Sequence, residues 1–366
     1  MMEMNSQILK IGLVGDLFPG ELPFTVNYGI KSQYNTHRGF PWVKNVKEIL
    51  GEPQIILANL ESPLLPAEHV IKNTFYGMPD FALFLKASGI NVLNIANNHI
   101  LEHGSNGFNS TVHILESAGL GVVGYVENGR SKVLYRKICG KLIAIAGFSN
   151  VDLHVITNNN HFPELSEESV LKTLTEMTEK NADVKILTFH WGNEYIHIPQ
   201  LEQRRIAKKF IDYGADIITG HHPHVIQPYE SYKNGHIFYS LGNFMFDYSH
   251  SQMVSKGLVA HLEFGGKNEV KVVLSGVKLS YKGTMSSFSP ISFDQYYGKI
   301  LYLYNKFLKL SDDDYNKKYY SLLKRNRFIQ RILMKTSIIN EFFRISFTDK
   351  FKLLNNISYY YKNRVS

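Results

Sequence analysis

The sequence predicts an α/β fold of mostly parallel strands covered by helices, with a helical appendage at the C-terminus. Three observations carry this expectation. Short apolar runs alternate with segments of helical period through most of the chain, the pattern of strand–helix–strand units. Two later runs, 258–264 and 270–279, alternate in polarity with no helix between them, as antiparallel strands do. Beyond Lys282 the strand pattern stops, and long stretches rich in Lys, Arg, Tyr and Phe take over.

In chain order, strands are expected at 9–14, 54–58, 92–95, 142–146, 185–188, 216–219 and 236–239, each a short apolar run. The helices expected between them are 81–87, which starts after Pro79-Asp80; 107–118, stopped by Gly119; 168–180; and 201–213, stopped by Gly214. Helical crossovers between short buried strands imply parallel pairing with helices on the sheet faces. The runs 258–264 and 270–279 are expected to pair with each other or to extend a sheet edge. Segments 297–310, 314–335 and 341–355 read as helices with mixed basic and aromatic faces, whereas 21–39 and 150–163 read as polar loops. The division expected is a body at 1–285 and the appendage at 286–366.

Composition narrows the function. A chain of 366 residues suffices for one large α/β domain plus an appendage. No run approaches ~20 consecutive apolar residues, so no membrane-spanning helix is expected. The first residues lack the basic and apolar regions and the cleavage site of a secretory signal. Cys139 is the single cysteine, which excludes an intramolecular disulfide and a thiolate zinc site. A cytoplasmic location is the resulting expectation. The net charge of +8 is uneven: residues 291–366 hold fifteen Lys and Arg against six Asp and Glu, a net +9, which leaves −1 for the rest. A nucleic-acid-binding cleft lined with cations is therefore not expected in the body. The tail suits peripheral contact with the anionic inner face of a membrane. Alternatively, its aromatics pack on the body with Lys and Arg outward.

The polar residues that follow the expected strands carry the chemistry. Strand 9–14 runs into Gly15-Asp16, strand 54–58 into Asn59-Leu60-Glu61, and strand 92–95 into Asn97-Asn98-His99. Strand 185–188 runs into His190-Trp191-Gly192, strand 216–219 into Gly220-His221-His222-Pro223-His224, and strand 236–239 into Gly242-Asn243. In a parallel sheet these ends share one edge, where open α/β sheets bind ligands. Most clusters alone have a plain structural explanation: Asp16 as a helix cap, Asn97-Asn98 as a turn, His190 as a rim residue. His221-His222-Pro223-His224 is less easily dismissed, since His-x-His on an extended segment puts both rings on one side. The convergence of the clusters has no such explanation. Carboxylates and an amide oxygen are hard ligands, and imidazole suits Zn, Fe or Mn. One carboxylate shared by two cations screens their repulsion and lets the pair orient a phosphate and activate water. No Walker-type phosphate loop and no dinucleotide fingerprint is present, so a divalent metal is the sole cofactor expected.

The same stretches resemble the CapA-type capsule-biosynthesis family, named for poly-γ-glutamate capsule production and similar to calcineurin-like metallophosphoesterases. They are GDLFPG (15–20), NLESPL (59–64), NIANNHILEHG (94–104), HWGNEY (190–195), GADIITGHHPHVIQ (214–227) and YSLGNFMF (239–246), in the family's order. The resemblance implies a calcineurin-like sandwich of mixed sheets flanked by helices. It implies one or two divalent ions (Mn, Zn, Fe or Mg) held by Asp16, Glu61, Asn98, His190, His222 and His224. Glu61 is placed as the bridging carboxylate, and His221 replaces His222 if the His-x-His motif shifts by one residue. His99 is implied as the group facing substrate. Asn59, Asn97, Glu102, Trp191, Glu194 and Asn243 are implied to line the pocket or support the ligands.

Two positions depart from the pattern. Phe18 stands where phosphoesterases place a metal-binding histidine, and Glu102 where this family usually has an aspartate. The function implied is a metal-dependent hydrolase, a phosphoesterase, acting on an anionic or phosphorylated surface-polymer substrate or precursor beside capsule-assembly proteins. Two rivals are a non-catalytic component that binds anionic polymer, kept open by Phe18, and a nuclease, which the near-neutral body disfavours.

Overall fold

Most of the strands form two mixed sheets that face each other, and residues 126–127 and 130–131 form a separate antiparallel pair. The computed structural model describes residues 8–22, 25, 29–37, 43–70, 75–151, 161–247, 250–265, 269–279, 285–287, 290–347, 349–351 and 353–354. In chain order the strands are β1 (Leu9–Leu17), β2 (Ile55–Leu60), β3 (Val92–Asn94), β4 (Gly121–Val123), β5 (Val126–Glu127), β6 (Arg130–Ser131), β7 (Val133–Ile138) and β8 (Lys141–Ser149). They continue with β9 (Val184–His190), β10 (Ile217–His221), β11 (Tyr229–Tyr232), β12 (Gly235–Phe238), β13 (Asn243–Met245), β14 (Lys256–Phe264), β15 (Val270–Leu279) and β16 (Met285–Ser287). The first sheet runs β16-β15-β14-β1-β2-β3-β4, with β13 pairing the end of β1; the second runs β11-β12-β10-β9-β8-β7. The expected antiparallel strands do both things proposed for them: β14 pairs β15, and it also extends the first sheet by pairing β1.

Alternation along each strand builds the layers. Ile11, Leu13, Ile55 and Leu57 of the first sheet meet Ile143, Ile145, Ile186 and Ile217 of the second in one apolar core. The neighbouring residues point the other way. Val14, Ile56 and Ala58 pack with Phe81 and Leu85 of the helix at 81–88 and Phe108 and Leu115 of the helix at 104–117. Ala144, Leu187, Phe189 and Ile218 pack with the helices at 167–179 and 201–212. Strands buried on both faces explain why the sequence shows continuous apolar runs. The helices are α1 (Ile30–His37), α2 (Val43–Leu50), α3 (Phe81–Ser88), α4 (Gly104–Ser117), α5 (Glu167–Glu179), α6 (Leu201–Asp212), α7 (Pro290–Phe307) and α8 (Asp312–Arg344). The architecture is thus a sandwich of mixed sheets flanked by helices, with helices at the C-terminus.

Three expectations change. The six polar clusters lie on two sheets rather than one: β1, β2, β3 and β13 belong to the first, β9 and β10 to the second. Helix α1 lies inside the stretch read as a polar loop; it buries only Ile30, so it carries no apolar periodicity to read. The helices expected at 314–335 and 341–355 are continuous through Arg344, and the chain turns extended at Ile345. Residue 355 lies outside the described residues, as do 152–160 of the expected loop 150–163.

The C-terminal helices pack into the body. Phe293, Tyr297 and Ile300 join the inter-sheet core. Tyr304, Phe307, Tyr315, Tyr319 and Leu323 cover the outer face of the second sheet. The Tyr315 hydroxyl donates to the Pro199 carbonyl at 2.7 Å.

Candidate metal centre

Both sheets direct the C-terminal ends of their parallel strands to one place. β1 and β2 run side by side, with Asp16 opposite Asn59, and Asn59 in turn opposite Asn94 of β3. In the second sheet His190 of β9 lies opposite His221 of β10. The segment that leads from β12 to β13 passes close to Gly15, where a Cβ would stand 1.9 Å from the Gly242 carbonyl oxygen. That close approach lets the Asp16 amide donate to Gly242 O at 2.9 Å and puts Asp16 opposite Asn243.

The ligand-type side chains meet there, and all but Glu194 are buried. Asp16 Oδ1 lies 3.0 Å from His221 Nδ1, and Oδ2 lies 3.6 Å from His224 Nδ1. Glu61 spans the centre: Oε1 is 3.5 Å from His190 Nε2, while Oε2 is 3.6 Å from His224 Nε2. Asn98 Oδ1 is 2.9 Å from His190 Nε2. Two groups of metal-ligating atoms, each mutually within 4.8 Å, result: Asp16, Glu61 and His224, and Glu194, His222 and His224. Glu194, expected only to shape the pocket, is therefore within ligand reach. His222 belongs to one of these groups; His221 instead engages Asp16.

The supporting residues are equally specific. Asn59 Nδ2 reaches Asp16 Oδ1 at 2.9 Å, His190 Nδ1 at 3.3 Å and Glu61 Oε1 at 3.4 Å. Asn94, which sequence reasoning missed, orients that amide by donating to Asn59 Oδ1 at 3.0 Å. Its only signal is strand register. Asn243 Oδ1 faces His224 Nδ1 at 3.0 Å, and its amide donates to Val254 O at 2.8 Å. Asn97 holds a turn: its amide donates to Leu60 O at 2.7 Å, and its oxygen accepts from the His99 amide at 3.1 Å. Glu102 contacts His99 Nδ1 at 3.2 Å. Trp191 corrects an expectation. Its indole donates to Tyr239 O at 2.9 Å and packs on Phe189 in the core behind the second sheet, because the residue after His190 points away from the site.

Phe18 fills the position of the missing histidine with packing. Its ring is 5.3 Å from Phe75 and 5.1 Å from Phe246. Phe75 stacks on His99 at 3.9 Å, and Phe246 meets the His224 ring at 4.9 Å. One wall of the site is therefore aromatic. Backbone strain gathers nearby: Tyr195, His222 and His224 have φ of 65°, 93° and 55°. Left-handed non-glycine residues cost on the order of 1–3 kcal/mol each. They persist here because the surroundings tie them down; the His222 amide donates to Asp16 Oδ2 at 3.4 Å and the Tyr195 amide to Pro223 O at 2.9 Å.

The electrostatics fit a divalent cation. Burial, with the charges of Asp16 and Glu194 nearby, pushes the Glu61 carboxyl well above its usual range. Against the cost of burial, the hydrogen bond and charge of His221 and the charge of His224 hold Asp16 low. Burial and the surrounding imidazoles push His190 well down, and burial takes His222 down to about 3. Neutral imidazoles keep a lone pair for a metal. Glu61 Oε2, His221 Nε2 and His222 Nδ1 are buried without a hydrogen-bond partner. Buried polar atoms are rarely left so, and a hard or borderline cation would satisfy this donor set.

The loop that carries Phe18 is anchored by Asp247, which accepts from Thr25 Oγ1 at 2.7 Å and from the amides of Ile30 at 3.0 Å and Leu22 at 3.3 Å. Burial pushes this carboxyl up to about 7, against the pull of those donors, and the Glu21 charge adds to the rise. A carboxyl raised in the folded state contributes stability that is present below about pH 4, is lost as pH rises, and is gone above about pH 7. Relative to Asp247→Asn, the wild-type protein should therefore lose on the order of 2–3 kcal/mol between pH 5 and pH 8. Parallel denaturant titrations at several pH values check this; a difference that stays flat or widens in favour of wild type removes the assignment.

Comparison with known proteins follows the same residues. The profile of the family described as bacterial capsule synthesis protein PGA_cap matches residues 10–248. The capsule biosynthesis protein CapA of Bacillus anthracis is 31% identical over 284 residues, 74% of this chain and 67% of that protein. The PGA biosynthesis protein CapA of Bacillus subtilis is 35% identical over 194 residues, and the chain spans about half of its length, 51%. Among solved structures, Haemophilus influenzae NAD nucleotidase (NadN) has a TM-score of 0.43 at 13% identity, covering 87% of this chain and 68% of that one. The 5'-nucleotidase precursor of Thermus thermophilus has a TM-score of 0.43 at 13% identity, covering 82% of this chain and 58% of that one. On the extent of the profile match and the similarity to the B. anthracis protein, the chain belongs to the bacterial capsule synthesis protein PGA_cap family.

Proposed function

We propose that the protein is a divalent-metal-dependent hydrolase of phosphoesters that acts in the synthesis of a bacterial capsule or related surface polymer. The observation that carries this reading is Glu61, whose two oxygens face His190 on one side and His224 on the other. A carboxylate so placed would hold cations together with Asp16 and His224 on one side and Asn98 and His190 on the other, with Glu194 and His222 beside His224. The names of the Bacillus relatives support the polymer assignment, with an anionic precursor or chain as substrate and capsule-assembly proteins as partners.

Bound there, one or two divalent ions (Mn, Zn, Fe or Mg) would supply charge neutralisation of the phosphate and acidification of water. The chain's own residues do the rest. Asn59 and Asn243 orient Asp16, His190 and His224. Glu102 fixes the His99 ring through Nδ1, which leaves Nε2, now 3.3 Å from the Asn98 amide, to hold a proton and pass it to the leaving oxygen. Phe75, stacked on that imidazole, excludes water from one face of it.

The test is a metal-by-substrate screen on the purified protein, with elemental analysis. Hydrolysis of generic phosphoesters that depends on added Mn or Zn supports the reading. His99→Gln should lower turnover by about 10²–10⁴-fold with metal content unchanged, the range of one general acid. Retained metal with unchanged turnover removes that role from His99. Saturable binding of an anionic polymer without hydrolysis under any metal would favour a binding component instead, for which Phe18 in place of a ligand is the specific argument.

A further inference from the structure

We propose that the outer face of α8 and the residues after it form a docking surface for an anionic lipid bilayer. The inner face of α8 is accounted for. Tyr315, Tyr319, Leu323, Asn326, Gln330 and Met334 recur every three or four residues and are buried against the body. Asn326 donates to the Tyr195 carbonyl at 2.9 Å, and Arg327 donates to Asn193 Oδ1 at 2.9 Å, so this face grips the loop that carries Glu194.

Among the described residues nothing covers the opposite face, and its chemistry is definite. Phe328, Ile332, Ile339 and Phe343 are exposed, Phe343 at 77%. At 3.6 residues per turn they fall within roughly 60° of one another, a single apolar stripe. Lys324, Arg331 and Lys335 flank it, and among the described residues none of them has an ion-pair partner. From residue 315 to 340 the helix holds seven Lys and Arg and no Asp or Glu. Beyond the break at Ile345, Ser346 Oγ accepts from the Asp349 amide at 3.2 Å and restarts a helical turn. Phe347, Phe351 and Leu354 then follow at helical spacing, and all three are exposed. No helix among the described residues is long and apolar enough to cross a membrane.

Aromatic and aliphatic side chains on one stripe, edged by unpaired cations, are the chemistry of a helix lying in the interface of a bilayer. The positive balance selects anionic headgroups. A soluble polyanion would use the cations but would gain nothing from the exposed phenylalanines, which is what separates the two occupants.

The experiment is co-sedimentation of the full-length chain with vesicles of phosphatidylcholine alone and with a quarter phosphatidylglycerol, at low and high salt. Two variants accompany it: Phe328→Ser/Phe343→Ser/Phe347→Ser, and Lys324→Glu/Lys335→Glu. These side chains are exposed, so an unchanged melting temperature is expected for both. The proposal expects binding to the anionic vesicles that is at least tenfold weaker on phosphatidylcholine, in high salt, and in each variant. Absence of binding to anionic vesicles overturns it. So does binding that the triple serine variant leaves intact, which would mark a simple polyanion site, and so does equal binding to neutral vesicles.

Discussion

Glu61→Gln should strip the protein of most of its metal and abolish metal-dependent hydrolysis, while leaving the metal-free fold at least as stable as before. The two halves have one cause. Glu61 is buried near two other carboxylates, Asp16 and Glu194, and one of its oxygens has no hydrogen-bond partner. Burying such a charge costs stability unless a cation compensates it. A neutral amide of the same shape removes the repulsion, and with it the reason for a cation to bind. Saturating metal stabilises the wild-type fold by mass action, about 2.7 kcal/mol at a hundred times Kd. A melting temperature that rises by several degrees with metal in the wild type, and stays still in the variant, is the expected result. Full metal content in Glu61→Gln by elemental analysis would remove Glu61 from the centre of the site.

Ending the chain at residue 289 should yield a protein that is insoluble or loosely packed. Phe293, Tyr297, Ile300, Tyr304, Phe307, Tyr315 and Tyr319 are each no more than 7% exposed and belong to the two cores that flank the second sheet. At about 1.5–3 kcal/mol for each large apolar side chain, their burial rivals the roughly 5–15 kcal/mol that stabilises a whole domain. Without them the outer face of β9 and β10 meets water. Near-ultraviolet circular dichroism and dye binding on the truncated chain would read the loss of packing. A truncated chain with native spectra and an unchanged melting temperature would contradict the packing described above.

The strand ends were legible because they are local. A short apolar run followed by Asp16, by Asn59 and Glu61, by Asn98 and His99, by His190, or by His222 and His224 is visible within a few residues of chain. Parallel strands with helices between them follow from the apolar runs, and an antiparallel pair follows from two runs without a helix between them; the sandwich of two mixed sheets was implied by the family resemblance alone. Helix α1 was not legible, because it buries a single residue and so leaves no periodic trace; α2, with Val46 and Leu50 buried one turn apart, carries a helical spacing that sequence reasoning missed.

What the residues could not reveal is which of these side chains touch. Asn94 supports Asn59 only because β2 and β3 pair in one register. Trp191 turns into the core while His190 faces Asp16's neighbours, since adjacent residues on a strand point to opposite faces. His222 and His224 come within ligand reach of each other, as the His-x-His spacing leads one to expect, but on left-handed backbone rather than on an extended segment. Composition and period therefore specified the elements and the ligand types, because those depend on near neighbours in the chain. The shared position of Glu61, the reach of Glu194 and the aromatic wall around Phe18 depend on contacts between segments far apart in sequence, and these exist only once the two sheets have closed on each other.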